Sequence, residues 1–240
     1  KDCNKIQDPY CVRCIPHVHG ASWEMFSNSE KIINNEINSV SDNPLIFPNG
    51  DVLSSGHFHA EPVAQALDAL SIAMSEIGAI SERRIHYFMK GADEQLPFFG
   101  AVNGGLESGF MLAHVTAASL ASENKTLAHP ASVDSISTSA GQEDIVSMAP
   151  WAGRSCLRII DNVITILSIE LLVASNINYR FHTNLKSGIG LQPLMDLIRQ
   201  SKVLSKSDRI FSKDIKAVRD LIVTNKVYET VNKQTKISRV

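Results

Sequence analysis

Three polar side chains of types that handle small charged molecules stand three residues apart near the start of the chain: Gln7, Tyr10 and Arg13. Residues at this spacing share a face if the stretch is helical. Arginine presents a planar fork suited to a carboxylate, tyrosine a phenol that donates or accepts a proton, and glutamine an orienting amide. A capped helix start with surface residues explains the same pattern, so the spacing alone leaves both interpretations open.

Two further segments concentrate polar residues. Residues 55–62 read Ser-Gly-His-Phe-His-Ala-Glu-Pro, and their two histidines flank an aromatic ring, as metal ligands or acid–base groups could. Residues 137–144 read Ser-Thr-Ser-Ala-Gly-Gln-Glu-Asp, with small polar residues before adjacent carboxylates. A glycine turn before a helix explains the first segment and a capping motif the second. Neither segment specifies a chemistry by itself.

A short cluster of sulfur and imidazole side chains raises the question of a metal. Cys11, Cys14, His17 and His19 are all types that bind zinc. Four ligands within nine residues, with no distant second pair, would make an awkward tetrahedral site. We therefore expect ordinary packing and no metal site, and keep zinc binding or a redox Cys-x-x-Cys pair as alternatives.

Apolar side chains recur at helical spacing along most of the chain, whereas alternating strand patterns are almost absent. The sequence therefore predicts an all-α bundle of long helices, in which irregular segments carry the polar clusters. A strand is expected only near residues 51–54, and no linker or repeat divides residues 1–240 into separate domains. Helices are predicted over residues 61–89, 106–127, 151–175, 192–202 and 213–232.

Composition excludes several classes of partner. The chain has 23 basic and 25 acidic residues, a formal charge of −2, which gives no electrostatic reason to expect nucleic acid or an anionic membrane. No apolar run reaches the roughly 18 residues that a membrane span needs. Four unevenly spread cysteines do not form a disulfide framework, so a cytoplasmic location is expected.

Seven segments, taken in order, closely resemble the aromatic amino acid lyase family. The resemblance begins at Gln7 and fades in the charged C-terminal part. So many blocks in the same order are far more specific than any single motif above. The segments are IQDPYCVRCIPHVHGA, NSVSDNPLIF, SSGHFHAEPVAQALD, AISERRI, GGLESGFM, TAASLASENKTLAHPASVDSISTSAGQEDIVSM and IELLVAS.

This resemblance implies a mainly helical fold and the elimination of ammonia from histidine, phenylalanine or tyrosine. Members use a 4-methylidene-imidazol-5-one electrophile that forms from Ala-Ser-Gly, a tripeptide absent from these 240 residues. In the family that tripeptide precedes the Gln-Asp-Pro-Tyr segment. We therefore expect the C-terminal half of a homotetrameric lyase, inactive without its N-terminal half. An inactive homologue that serves as an oligomer partner or binding module is the alternative.

The resemblance also implies roles for individual residues. Arg13 would anchor the substrate carboxylate beside Gln7, and Tyr10 would lie next to the electrophile. Phe58 would contact the substrate ring. Glu143, in a Glu-Asp pair typical of histidine-directed members, would bind the imidazole of L-histidine and take part in catalysis, with urocanate as product. The family usually has asparagine where this chain has His57, so an effect on substrate choice is expected there.

Overall fold

The computed structural model describes residues 6–92, 94–182 and 186–235. It is mainly helical, which confirms the predicted fold class. One two-stranded antiparallel sheet joins β1 (Leu45–Ile46) to β2 (Val52–Leu53), where a strand was expected. The helices are α1 (Tyr10–Arg13), α2 (Ile15–Ile37), α3 (Glu61–Met89), α4 (Met111–Leu127), α5 (Ala149–Phe181), α6 (Gln192–Gln200), α7 (Ser212–Val223) and α8 (Lys226–Thr235), with 3₁₀ turns at Phe98–Gly100, Ala131–Val133 and Ser139–Gly141.

Helix α3 has the bounds that its apolar periodicity predicts, and Pro62 lies in its first turn, where a missing N–H is tolerated. Helix α5 begins slightly earlier than predicted and continues further, to Phe181. Helix α6 begins as predicted but ends at Gln200, because Lys202 adopts a left-handed backbone conformation with φ 60°.

The predicted start of the next helix, at residue 106, was wrong, since α4 begins at Met111. Gly109 has φ +56°, and a Cβ there would lie 2.3 Å from the carbonyl oxygen of Phe99, so only glycine fits. The backbone N–H groups of Ser108 and Gly109 donate to Asp208 Oδ2 at 2.8 and 2.9 Å. These bonds hold residues 108–109 outside the helix.

The single helix predicted over residues 213–232 was also wrong, because two helices, α7 and α8, occupy this segment. Asn225 separates them with φ 65°, a left-handed conformation that commonly ends a helix. Its N–H donates to the carbonyl oxygen of Ile222 at 3.0 Å. Asparagine tolerates this conformation better than most residues, so the local chemistry favours a break.

The chain divides into two compact units, residues 1–77 with 123–161 and residues 78–122 with 162–240. In the first unit, α3 and α5 contact each other at Leu67 and Gly153, and both helices carry buried alanines close to these residues in sequence. Ala64 and Ala152 are fully buried, and a Cβ on Gly153 would lie 3.7 Å from Leu67 Cδ1. Asp68, also buried, accepts the backbone N–H of Ser132 at 2.8 Å.

The second unit has the larger apolar core. Its larger buried cluster draws on the C-terminal part of α3, on α4 and on the C-terminal half of α5, which confirms that the three long helices pack together in this unit. Helices α6 and α7 contribute a smaller cluster. Most of their charged residues stay at least partly exposed, but Asp214 on α7 is buried and accepts from Arg209 Nε at 2.8 Å. The larger cluster contains Ile85, Met89, Phe110, Ala113, Ala117, Ala121, Ile166, Ile169, Val173 and Ile177. The smaller contains Leu172, Ile198, Val203 and Val218.

A largely shielded polar network also joins α3 to α5 within the second unit. Glu170 accepts the Ser81 hydroxyl at 2.6 Å and the Arg84 Nη2–H at 2.9 Å, and Arg84 Nε bonds its other oxygen. The side chains of Arg84 and Glu170 are only 14 % and 19 % exposed. Removing either charge would leave its partner largely shielded from water, which is costly.

By length and composition alone, α3 could cross a membrane. The core helices of soluble proteins meet the same criterion.

We expect Glu170→Gln to lower the free energy of unfolding by about 3 kcal/mol, because it leaves the Arg84 charge without a carboxylate. Denaturant unfolding of the intact protein measures the change. Asp220→Asn is the matched control, since the Lys216–Asp220 pair is 74 % and 59 % exposed and should change stability by at most about 0.5 kcal/mol. Equal effects of the two substitutions would contradict a structural role for the buried pair.

Candidate active site

The first polar cluster is built around the single turn of α1. The N–H groups of Val12 and Arg13 both donate to the carbonyl oxygen of Pro9 at 3.0 Å. The turn ends at Cys14, and α2 begins next to it with Pro16 in its first turn. Proline has no N–H to continue an earlier helix, which accounts for the break. Tyr10 and Arg13 thus stand at the two ends of one helical turn.

Contacts within this turn bring together the three residues that the spacing singled out. Arg13 Nη1 donates to Gln7 Oε1 at 2.6 Å. The Arg13 guanidinium carbon lies 5.0 Å from the centre of the Tyr10 ring, within the range of a cation–π contact. Gln7 and Tyr10 therefore orient the guanidinium, while the cluster itself stays open to solvent, with Tyr10 70 % exposed.

Phe58 lies in the loop between β2 and α3. The loop is held by backbone and side-chain bonds: His59 N–H donates to the Gly56 carbonyl at 3.1 Å, and Ser55 N–H to Asn43 Oδ1 at 2.9 Å. His57 pairs with Ser55, whose hydroxyl lies 3.0 Å from both the backbone N and Nδ1 of His57. The Phe58 ring is 57 % exposed. The effect of His57 on substrate choice stays a prediction.

Glu143 lies on a tight turn that closes with backbone bonds to Thr138. The N–H of Thr138 donates to the Glu143 carbonyl at 2.9 Å, and Ser139 and Ala140 at the tip have φ values of 52° and 58°. The Thr138 hydroxyl donates to Glu143 Oε2 at 2.5 Å. The turn thus points one hydroxyl directly at the carboxylate, and the expected helix cap is not formed there.

These hydroxyl groups change the acidity of Glu143. Hydrogen bonds from Thr138 and Ser139 hold the pKa of its carboxyl below the ordinary value, because they stabilise the charged form. Since the carboxyl is exposed, desolvation opposes this effect only weakly. Glu143 is therefore an ionised hydrogen-bond acceptor at neutral pH.

His59 links the Phe58 loop to the Glu143 turn. Its Nε2 lies 3.1 Å from the carbonyl oxygen of Ile145, and its Nδ1 accepts the N–H of Glu61 at 3.3 Å. The structure thus connects two of the three polar segments. Within the described residues, no hydrogen bond, ion pair or ring contact joins Gln7, Tyr10 or Arg13 to Phe58 or Glu143.

The short cysteine and histidine cluster forms no metal centre in the part of the chain that the structure describes. Over residues 6–92, 94–182 and 186–235, no group of three or more His, Cys, Asp and Glu side chains is arranged to hold a metal ion. Cys3 lies outside the described residues.

Sequence reasoning missed the residues that hold the site residues in place. Thr138 was interpreted as part of a cap, although its hydroxyl binds a carboxylate five residues later. Gly141, which has φ 87° in the structure, was the signal in the sequence that this segment folds back on itself. The partner of His59 lies 86 residues away and left no local signal.

Comparison with known proteins identifies the family. A family model described as aromatic amino acid lyase matches residues 1–200. The chain belongs to the aromatic amino acid lyase family. It is similar to a histidine ammonia-lyase of Burkholderia cenocepacia, with 51 % identity over 226 residues that cover 92 % of this chain and 44 % of that protein.

Solved structures of the family give the same result. The crystal structure of histidine ammonia-lyase from Trypanosoma cruzi superposes with a TM-score of 0.90 and 44 % identity, covering 95 % of this chain and 45 % of that one. Tyrosine aminomutase from Streptomyces globisporus superposes with a TM-score of 0.90 and 28 % identity, covering 99 % and 46 %. This lyase-family chain thus spans less than half the length of these relatives.

We expect Thr138→Val to raise the pKa of Glu143 toward that of an ordinary carboxyl, because valine keeps the shape but donates no hydrogen bond. In the native chain the stabilisation of the ionised form is present above the unfolded-state pKa and is lost as pH falls through the folded pKa. A ¹³C NMR titration of labelled glutamate carboxyls, with Glu143→Gln to assign the signal, measures it. The control is Thr126→Val, an exposed threonine on α4. An unchanged Glu143 titration in Thr138→Val would contradict the assignment.

Proposed function

We propose that this chain forms part of a histidine ammonia-lyase, which eliminates ammonia from L-histidine to give urocanate. The observation that carries the proposal is the Glu143 carboxylate, kept ionised by Thr138 and Ser139 on the segment that His59 links to the Phe58 loop. An ionised carboxylate accepts the N–H of an imidazole, which a phenyl or phenol ring does not offer at that position. The names of the relatives at about half identity support the same substrate.

Arg13 would bind the substrate carboxylate. Its guanidinium carries donors beyond the one that Gln7 accepts, and contact with the Tyr10 ring orients its plane. A bidentate pair fixes both the position and the direction of the substrate. Orientation of this kind lowers the barrier, because translational and rotational freedom is lost at binding and not during reaction.

The reaction must remove a weakly acidic β-proton and a poor leaving group, so it requires an electron sink. A 4-methylidene-imidazol-5-one, formed from Ala-Ser-Gly in a preceding segment, would supply that electrophile when present. The residues of this chain fit such a group, since the Tyr10 hydroxyl makes no hydrogen bond within the described residues and is exposed. Tyr10 would hold the electrophile from this side and could give or accept a proton there.

Glu143 would serve mainly as an acceptor of the substrate imidazole N–H. A general base works best with a pKa near the operating pH, whereas hydrogen bonds hold the pKa of Glu143 low. Its catalytic contribution would therefore be to orient the imidazole and stabilise positive charge on it. This favours histidine over phenylalanine and tyrosine, which carry no ring cation.

We further propose a cytoplasmic homotetramer that contains the N-terminal half of the enzyme. Large apolar side chains on the long helices remain exposed in this chain, and burying them against other chains would be favourable. They include Leu112 and Val115 on α4 and Trp151 and Leu157 on α5.

We expect Arg13→Lys in the complete enzyme to raise KM for histidine about tenfold or more, with a smaller effect on kcat. Lysine keeps the charge but loses the planar fork. Steady-state kinetics of ammonia release measure both constants. Arg199→Lys is the matched control, because Arg199 is an exposed arginine on α6 that also holds a side-chain partner, Asp196, at 3.0 Å. An unchanged KM in Arg13→Lys would contradict the carboxylate anchor.

We expect Glu143→Gln to lower kcat/KM for histidine at least about tenfold, equal to roughly 1.4 kcal/mol of transition-state stabilisation. Residual activity should shift toward phenylalanine or tyrosine, because glutamine keeps the shape without the negative charge. Urocanate absorbance and ammonia release provide the assays. The exposed Glu24, changed to glutamine, controls for the loss of one surface carboxylate.

Two outcomes would count against the proposal. If Glu143→Gln turned over histidine at the unmodified rate, the substrate assignment and the role of Glu143 would both be wrong. If the complete, correctly assembled protein released no ammonia from any aromatic amino acid, the inactive homologue would be the better description.

A further inference from the structure

His59 occupies an unusual place, because both nitrogens of its ring have backbone partners. Nδ1 lies 3.3 Å from the backbone nitrogen of Glu61, at the start of α3, and Nε2 lies 3.1 Å from the carbonyl oxygen of Ile145. The first contact is local. The second crosses 86 residues of sequence and reaches the segment that carries Glu143.

The identity of the two partners determines where the proton on the ring must be. A backbone N–H only donates, so Nδ1 must present its lone pair to Glu61. A carbonyl oxygen only accepts, so Nε2 must carry the proton that it donates to Ile145. Both bonds form together only with the neutral tautomer protonated at Nε2.

The bond to Ile145 lies in a short segment that other hydrogen bonds also hold. Ile145 lies two residues after Glu143, and the Ser135 hydroxyl accepts the N–H of Val146 at 2.9 Å beyond it. On the other side, Phe58 is the immediate neighbour of His59. A shift of this one bond would therefore move Phe58 relative to Glu143, with few intervening torsions to absorb the change.

We propose that His59 is a positioning residue that sets the spacing between Phe58 and Glu143, and that its Nε2–H bond to Ile145 is the part of the side chain that does so. The inference rests on the proposed function, in which Phe58 contacts the substrate ring and Glu143 accepts its N–H. His59 itself need not touch the substrate. Misplacing reacting groups by about 1 Å can cost on the order of a hundredfold in rate.

Two substitutions separate the two bonds. Asparagine at position 59 places an oxygen near the site of Nδ1, so His59→Asn keeps the acceptor for Glu61 N–H but cannot reach Ile145. Glutamine extends an amide N–H to the site of Nε2, so His59→Gln keeps the donor to Ile145. A purely structural helix cap would be preserved best by asparagine, a preferred capping residue. The positioning role would be preserved best by glutamine.

The experiment measures kcat and KM for histidine in the complete enzyme, together with hydrogen exchange of residues 135–146 by mass spectrometry. We expect His59→Asn to lower kcat/KM about tenfold or more, mainly through kcat, and to speed exchange in this segment. His59→Gln should keep kcat/KM within about threefold of the unmodified enzyme, because it retains the donor to Ile145 and so the positions of the reacting groups. The matched control is His129→Asn, an exposed histidine in the same unit.

Unchanged kinetics and exchange in His59→Asn would overturn the inference. So would equal losses in His59→Asn and His59→Gln, because the imidazole itself would then matter and not its bond to Ile145. If the unmodified enzyme does not act on histidine, the proposed function fails separately. The exchange comparison then decides by itself whether His59 holds the Glu143 segment.

Discussion

The contact between α3 and α5 in the first unit is the constraint on which the candidate site depends. Leu67 of α3 faces Gly153 of α5, and His59 contacts Ile145 just before these helices begin, at the same sequence separation. The two helices therefore start side by side, and the loops that precede them lie next to each other, joined by the bond between His59 and Ile145. A Cβ at position 153 would make an ordinary van der Waals contact with Leu67, so a side chain larger than alanine would press on α3. Any change in helix separation would reach both loops.

Because the helices fix where these loops end, the polar side chains of the site can lie on loops that form no α-helix or sheet. Phe58 and Glu143 are both exposed, and the contacts that hold them are hydrogen bonds to backbone groups and hydroxyls. Exposed charges interact weakly in water, and the same groups act far more strongly in a dry, enclosed site. The proposed chemistry therefore requires that further protein surface cover these residues, which agrees with the proposed assembly.

The second unit differs from the first, because its helices enclose charged side chains as well as apolar surface. Glu170 satisfies Ser81 and Arg84 between two helices, and Glu82, which is 3 % exposed, lies 2.9 Å from His114 Nε2. A shielded ion pair such as Arg84–Glu170 adds little net stability compared with apolar packing, but breaking it is costly. Polar contacts between helices penalise a shift in helix register, because every donor would lose its acceptor at once.

The sequence by itself determined the helical architecture, the bounds of α3 and the grouping of Gln7, Tyr10 and Arg13, because these follow from periodicity and spacing within a few residues. Tertiary structure decided the start of α4, because the carboxylate of Asp208 accepts the N–H of Gly109, which is 99 residues away in sequence. The Thr138 bond that lowers the pKa of Glu143 is local, but it needs a turn with left-handed backbone at Ser139 and Ala140, which non-glycine residues seldom adopt. Tertiary structure also decided that His59 reaches Ile145, 86 residues away. A local sequence pattern indicates which conformation one segment prefers. The bonds of Asp208 to Gly109 and of His59 to Ile145 depend instead on which distant segments the packed helices bring within hydrogen-bonding distance.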